Sequence, residues 1–125
     1  MLSLEHPNGK VEVWLAQRPK SEPAYPGMYH APGSAMRSGE QFEDVFARLE
    51  KKEFRVKLLT WRFITNVNNP GEKRGHFLSI VYLCRLPDEA GQRGNWFPVD
   101  QLPDSTVDCH REKIIPVAVQ AFLME

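Results

Sequence analysis

A chain of 125 residues with 42% apolar and 26% charged residues has the size and composition of one soluble globular unit, which implies a single domain over residues 1–125. Sixteen basic and sixteen acidic residues leave no net charge, and that balance argues against general nucleic-acid binding and against a membrane-surface role. No stretch approaches the roughly 18 apolar residues of a membrane span, no charged-then-apolar leader opens the chain, and the two cysteines, Cys84 and Cys109, lack metal-type spacing, so a reducing cytoplasm is the expected setting.

Residues 1–4 and 10–17 read as strands around an Asn8-Gly9 turn, with Val11, Val13 and Leu15 alternating against Glu12, Trp14 and Ala16. Residues 19–27 form a proline-rich loop, and a short extended piece, residues 28–31, leads into Pro32-Gly33. A helix is predicted over residues 40–54. Phe42, Val45, Phe46 and Leu49 line one face, acids lie at its start, and Lys51, Lys52 and Arg55 lie at its end. Residues 57–66 read as a strand, Asn68-Asn69-Pro70-Gly71 as a turn, and residues 76–86 as the most apolar strand, closed by Pro87-Asp88. After a polar loop over residues 90–95, Trp96-Phe97-Pro98 opens a segment that ends at Leu102-Pro103. A final helix within residues 107–123 must start or kink at Pro116, because proline lacks an amide and clashes one turn back. Strands alternating with two helices imply an α/β sheet covered on both faces.

The stretch Pro32-Gly33-Ser34-Ala35-Met36-Arg37-Ser38-Gly39-Glu40, seven residues, then Arg48-Leu49-Glu50-Lys51-Lys52-Glu53, resembles the signature of the Nudix hydrolases. That signature is Gly, five residues, Glu, seven residues, then Arg-Glu-hydrophobic-x-Glu-Glu-x-Gly-hydrophobic. The flanks agree. Val13-Trp14-Leu15-Ala16-Gln17-Arg18 is similar to the family strand ending in Gln-Arg. The run from Gly27 to Gly33 is similar to its Pro-Gly entry, Arg74-Gly75-His76-Phe77 to its central hairpin, and the run from Trp96 to Pro103 to its tryptophan segment. The resemblance implies a Nudix-like α/β/α sandwich with a mixed β-sheet between helices. It also implies cleavage of a pyrophosphate bond in a nucleoside diphosphate-type substrate with Mg²⁺ or Mn²⁺, a nucleotide-like phosphorylated partner, and a homodimer as one option.

Carried over by position, Glu40 and Arg48 are retained, the consecutive metal-binding acids become Lys52 and Glu53, the acid after the arginine becomes Leu49, and the closing glycine becomes Arg55. A further carboxylate that many members carry before the tryptophan segment becomes Asn95. Leu49, Lys52 and Asn95 therefore weaken the cation set, because two like charges at about 4 Å repel by several kcal/mol at an intermediate dielectric. The resemblance assigns catalytic roles to Glu53, Arg48 and Glu40, substrate contacts to Arg18, Gly33, Ser34 and Lys52, and metal ligation to Glu53 with Glu50. The Glu50 assignment needs a shifted register, hence a rotation of about 100° or a one-residue bulge in the helix. The apolar stripe ending at Leu49 argues for the unshifted one. Three functions follow: a weakened hydrolase, a catalytically silent module that binds a nucleotide or phosphorylated ligand with Lys52 on phosphate, or an interaction domain that keeps only the fold. His30, His76 and His110 are dispersed and form no local motif.

Overall fold

The computed structural model describes residues 2–5, 11–72, 75–87 and 94–125. Its elements are β1 (Leu2–Glu5), β2 (Glu12–Gln17), β3 (Tyr29–His30), helix α1 (Phe42–Leu49) running into a π turn (Glu50–Phe54), β4 (Thr60–Glu72), β5 (Gly75–Arg85), β6 (Gly94–Pro98), a second π turn (His110–Ile114) and α2 (Ile115–Leu123). The Asn8-Gly9 turn, Lys73, Arg74 and most of the loop expected over residues 90–95 lie outside the described residues.

The sheet runs β3-β2-β1-β5-β4, with β6 on the other edge of β2. Among the described strands β1 and β5 pair in parallel and the other pairs are antiparallel, so the sheet is mixed. Strand β2 shows why helices cover both faces. Val13 and Leu15 enter one core with Val81, Leu83, Ile115, Ala118 and Phe122, on the α2 side. Trp14 and Ala16 enter a second core with Phe46, Leu49, Phe54, Leu58 and Leu86, on the α1 side. A strand with apolar side chains on both faces is buried on both, and the result is the α/β/α sandwich.

The π turn after α1 has a packing reason. Side chains five apart lie roughly 140° from each other around an α-helix, so Leu49 and Phe54 would face different ways. A π turn closes through i→i+5 bonds and brings them to one side. Both are buried, and the Phe54 ring lies 5.1 Å from Trp14. Burying a ring such as Phe54 contributes roughly 1.5–3 kcal/mol. The second π turn runs into α2, whose second residue is Pro116, and a wider turn there relieves the clash of the proline ring.

Two boundaries differ from the sequence reading. Asn68-Asn69-Pro70-Gly71 is not a turn: β4 runs on to Glu72, and the pairing with β5 shifts register between Asn69 and Glu72. Proline has no amide for a ladder, and the irregularity accommodates Pro70 where no ladder bond is required. At α1, Gln41 caps the helix instead of Glu40, with its amide bonded to Asp44 Oδ2 at 2.8 Å. Among the described residues no helix is long and apolar enough to cross a membrane.

Candidate nucleotide site

The loop between β3 and α1 is held by one arginine. Arg48 Nε donates to Ser34 Oγ at 2.9 Å, Nη2 to the Ala35 carbonyl at 2.8 Å, and Nη1 to Glu40 Oε2 at 2.6 Å. Glu40 Oε1 also accepts the Arg37 amide at 2.6 Å. The hydrogen bond from Arg48, then that from the Arg37 amide, holds the Glu40 carboxyl below its ordinary range, and the same carboxylate raises Arg48. Three expected site residues, Ser34, Glu40 and Arg48, thus form one clamp that fixes the course of the loop past Gly33.

Two cavities meet at this loop. A polar cleft of about 900 Å³ is bordered by Gln17, Arg18, Lys20, Glu22, Glu53 and Asn95. An apolar cavity of about 510 Å³ lies beside it, walled by Phe42, Phe46, Leu49, Phe77, Ile80 and Tyr82, with Asn69 also in its lining. Arg18, His30 and Gly33 border both. The topology creates the second space. Among the described residues β1 pairs with β5 at Leu83 and Cys84, and no strand pairs that edge of β5 before Leu83. β3 instead follows β2, and its far edge is taken by Ser105 and Val107. The sheet is therefore split between β3 and residues 77–82 of β5.

Arg18 is anchored at this junction, with Nε on the Ala24 carbonyl at 2.8 Å and Nη2 on Glu22 at 3.4 Å. His30 and His110 come together from opposite ends of the sequence. Their ring centroids are 6.1 Å apart. The Ala31 amide donates to His110 Nδ1 at 2.9 Å, and His30 Nδ1 donates to the Ala31 carbonyl at 2.9 Å. A separation this long leaves no local motif, which is why the sequence showed only dispersed histidines. Asn69 was missed for another reason: Asn-Asn-Pro-Gly reads as a turn, and only the extended course of β4 makes Asn69 a buried strand residue.

The helix acids separate. Leu49 is in the core, and Glu50 Oε2 accepts the Leu58 amide at 2.6 Å, so the carboxylate expected on a metal closes the connection to β4 instead. Glu53 is half-buried on the polar cleft, whereas Lys52 is exposed and borders neither cavity, so phosphate contact by Lys52 has no support in this geometry. The bulge required by the shifted register is present, but it serves Leu49 and Phe54. Arg55, where the family has its closing glycine, adopts φ 60° and ψ 15°, the left-handed conformation of a helix C′ residue. The unshifted register therefore describes this helix. Among the described residues no group of three or more His, Cys, Asp or Glu side chains could hold a metal ion. With Glu50 bonded to an amide and Leu49 in the core, the donors present do not fit the multi-carboxylate centre that the resemblance implies.

No protein-family sequence model matches the chain, and no curated protein sequence matches it. Solved structures do. NrtR of Shewanella oneidensis superposes with a TM-score of 0.77 at 18% identity, covering 98% of this chain and 61% of that one. A mutT/nudix family protein from Listeria innocua superposes with a TM-score of 0.77 at 18% identity, covering 98% and 89%. The NUDIX domain of the same NrtR, complexed with ADP ribose, gives 0.75 at 18% identity, covering 97% and 84%. The chain spans about three fifths of the length of full NrtR, which has also been crystallised with a 27mer DNA. Agreement of this extent, on the mixed sheet and both helices, shows that the chain has the Nudix fold.

Proposed function

We propose that the chain binds a nucleoside diphosphate-type compound, of the chemical class of ADP-ribose, and holds it without hydrolysing it. The observation that carries this reading is the junction of an apolar and a polar cavity at Arg18, His30 and Gly33. An amphipathic ligand with a flat apolar end and a charged end matches that division, and pockets of a few hundred Å³ lined by aromatic side chains with a few polar groups are the usual form of such sites. Arg18 takes the phosphates, since a guanidinium pairs with phosphate oxygens in a fork. Gly33 presents open backbone to them, because a Cβ there would meet nothing within 4 Å. Arg48, Glu40 and Ser34 position that loop and do not touch the ligand. The ADP-ribose complex of the NrtR NUDIX domain favours the same ligand class.

Weak hydrolysis with Mg²⁺ or Mn²⁺ is the second reading, and it rests on Glu53 and Glu22 bordering one cleft. The two are separated by thermal shift in EDTA and by product release with Mn²⁺. The binding reading expects ADP-ribose or ADP to raise the Tm in EDTA, as linkage requires, and expects no turnover across a panel of nucleoside diphosphate compounds. No shift with any nucleotide removes the binding reading. Mn²⁺-dependent turnover lost in Glu53→Ala replaces it with the hydrolytic one.

A further inference from the structure

The last rung of β3 is made by a side chain. Tyr29 donates its amide to the Ser105 carbonyl at 2.8 Å and accepts the Val107 amide at 2.9 Å, so residues 105–107 pair with it in parallel. In a parallel ladder the next bond would run from the Ala31 amide to the Val107 carbonyl. That carbonyl is already engaged. It accepts the amides of His110, at 3.1 Å, and Arg111, at 3.0 Å, because the chain turns there into the helical segment that leads to α2. The Ala31 amide bonds to His110 Nδ1 instead, at 2.9 Å. Ala31 is 3% exposed, so its amide has little access to water. Pro32 has no amide, which makes the Ala31 amide the last one before Gly33.

These bonds fix the ring hydrogens. A carbonyl only accepts, so His30 Nδ1, 2.9 Å from the Ala31 carbonyl, carries a hydrogen. An amide only donates, so His110 Nδ1 carries none, and the neutral ring holds its hydrogen on Nε2. The two histidines brace one residue and differ in what a further proton does. His30 gains it on Nε2 and keeps its bond. His110 gains it at Nδ1, where two N–H groups then oppose each other. Positive charge near His110 comes from His30, whose ring centroid is 6.1 Å away, from Arg18 in the lining of the same cavity, and from Arg111 on its own turn. Tyr25, Tyr82 and Cys109 also line that cavity, and Asp108 and Glu112 are exposed. Among the described residues no carboxylate lines the cavity, so it offers the new N–H no acid to bond.

We infer that His110 is a positioning residue for the ligand: its neutral imidazole holds the Ala31 amide and so sets the course of Pro32 and Gly33, and a proton gained at Nδ1 releases that loop and weakens binding. Gly33 borders both cavities, so a shift of the chain there reaches the ligand directly. Arg48 grips the other side of Gly33, through Ser34 Oγ and the Ala35 carbonyl. A guanidinium stays charged, so of the two grips the one at His110 is the one a proton can open. The inference rests on the nucleotide-binding reading above and adds to it control of that site by pH.

Calorimetric titration with ADP-ribose in EDTA, at about pH 7.5 and about pH 5.5, tests it; imidazoles change charge across that range and the ligand does not. A single proton that must leave before the ligand binds lowers affinity by at most about tenfold per pH unit. The inference expects wild-type affinity to fall roughly tenfold from the higher pH to the lower. His110→Asn places an amide oxygen, which accepts but takes no proton, near the position of Nδ1. It is expected to bind equally at the two pH values, and more tightly than His110→Ala at the higher one. Wild-type affinity that is flat or rises on acidification, a fall that survives in folded His110→Asn, or equal affinities in folded His110→Asn and His110→Ala each overturn the role of His110 while leaving nucleotide binding intact. No binding at either pH overturns both.

Discussion

The carboxylate of Glu50 accepts the backbone amide of Leu58 at 2.6 Å, across the turn between α1 and β4. Leu58 is 7% exposed, so its amide has little access to water. An amide left without a partner there costs about 1–3 kcal/mol. Glu50→Ala is expected to lose stability of that order in urea denaturation and to keep its nucleotide affinity. Glu50→Gln, which retains an acceptor, is expected to lose less. Lost affinity in a stable Glu50→Ala protein would place Glu50 in the site.

The bonds from Arg48 and from the Arg37 amide lower the Glu40 carboxyl below its ordinary value of 4.5. A depressed folded-state value contributes stability that is present above 4.5 and lost as the pH falls through the folded value. Glu125 contributes with the same sign: burial acts to raise it, and its bonds from Arg62 and Arg85 outweigh that. Comparing wild type with Glu40→Gln isolates the clamp. The wild-type advantage in Tm is expected at neutral pH and is expected to shrink below about 4.5. An advantage that does not change with pH contradicts the ion pair.

Arg55 adopts φ 60°. A left-handed conformation costs a residue with a Cβ roughly 1–2 kcal/mol, and glycine gives back part of that gain through its larger unfolded-state entropy. Arg55→Gly is expected to raise stability by about 0.5–1 kcal/mol, measured as a higher denaturant midpoint at unchanged slope.

Two glycines on the polar cleft separate ligand from framework. A Cβ at Gly94 would meet the Leu15 carbonyl oxygen at 2.1 Å and Trp14 Cζ2 at 2.8 Å. β6 cannot then keep its place on β2, and Gly94→Ala is expected to cost about 1–3 kcal/mol as overpacking. A Cβ at Gly33 meets nothing within 4 Å. Gly33→Ala is expected to leave the Tm close to wild type and to weaken ADP-ribose, because the added methyl occupies space that the ligand approaches. Unchanged affinity in Gly33→Ala would move the phosphates away from this loop.

Much of the architecture was legible because it rests on periodicity. The stripe from Phe42 to Leu49 located α1, and the apolar alternation of β2 located the strand that both helix layers cover. The signature spacing located the loop, and Glu40 and Arg48 do meet. The acids of the helix end were less legible, since their directions depend on a π turn. That turn arises from the need to bury Leu49 and Phe54 together, a tertiary demand with no local mark. Asn69 and the His30–His110 pair were hidden by a false turn signal and by sequence distance.

Nucleotide binding that needs no multi-carboxylate metal centre is measured by calorimetric titration of the wild-type protein with ADP-ribose, first in EDTA and then with Mn²⁺, with the ligand recovered and analysed afterwards. Saturable binding in EDTA, little change with Mn²⁺, and ADP-ribose recovered whole are expected. Binding that appears only with Mn²⁺, or recovery of the split products, would rule such binding out.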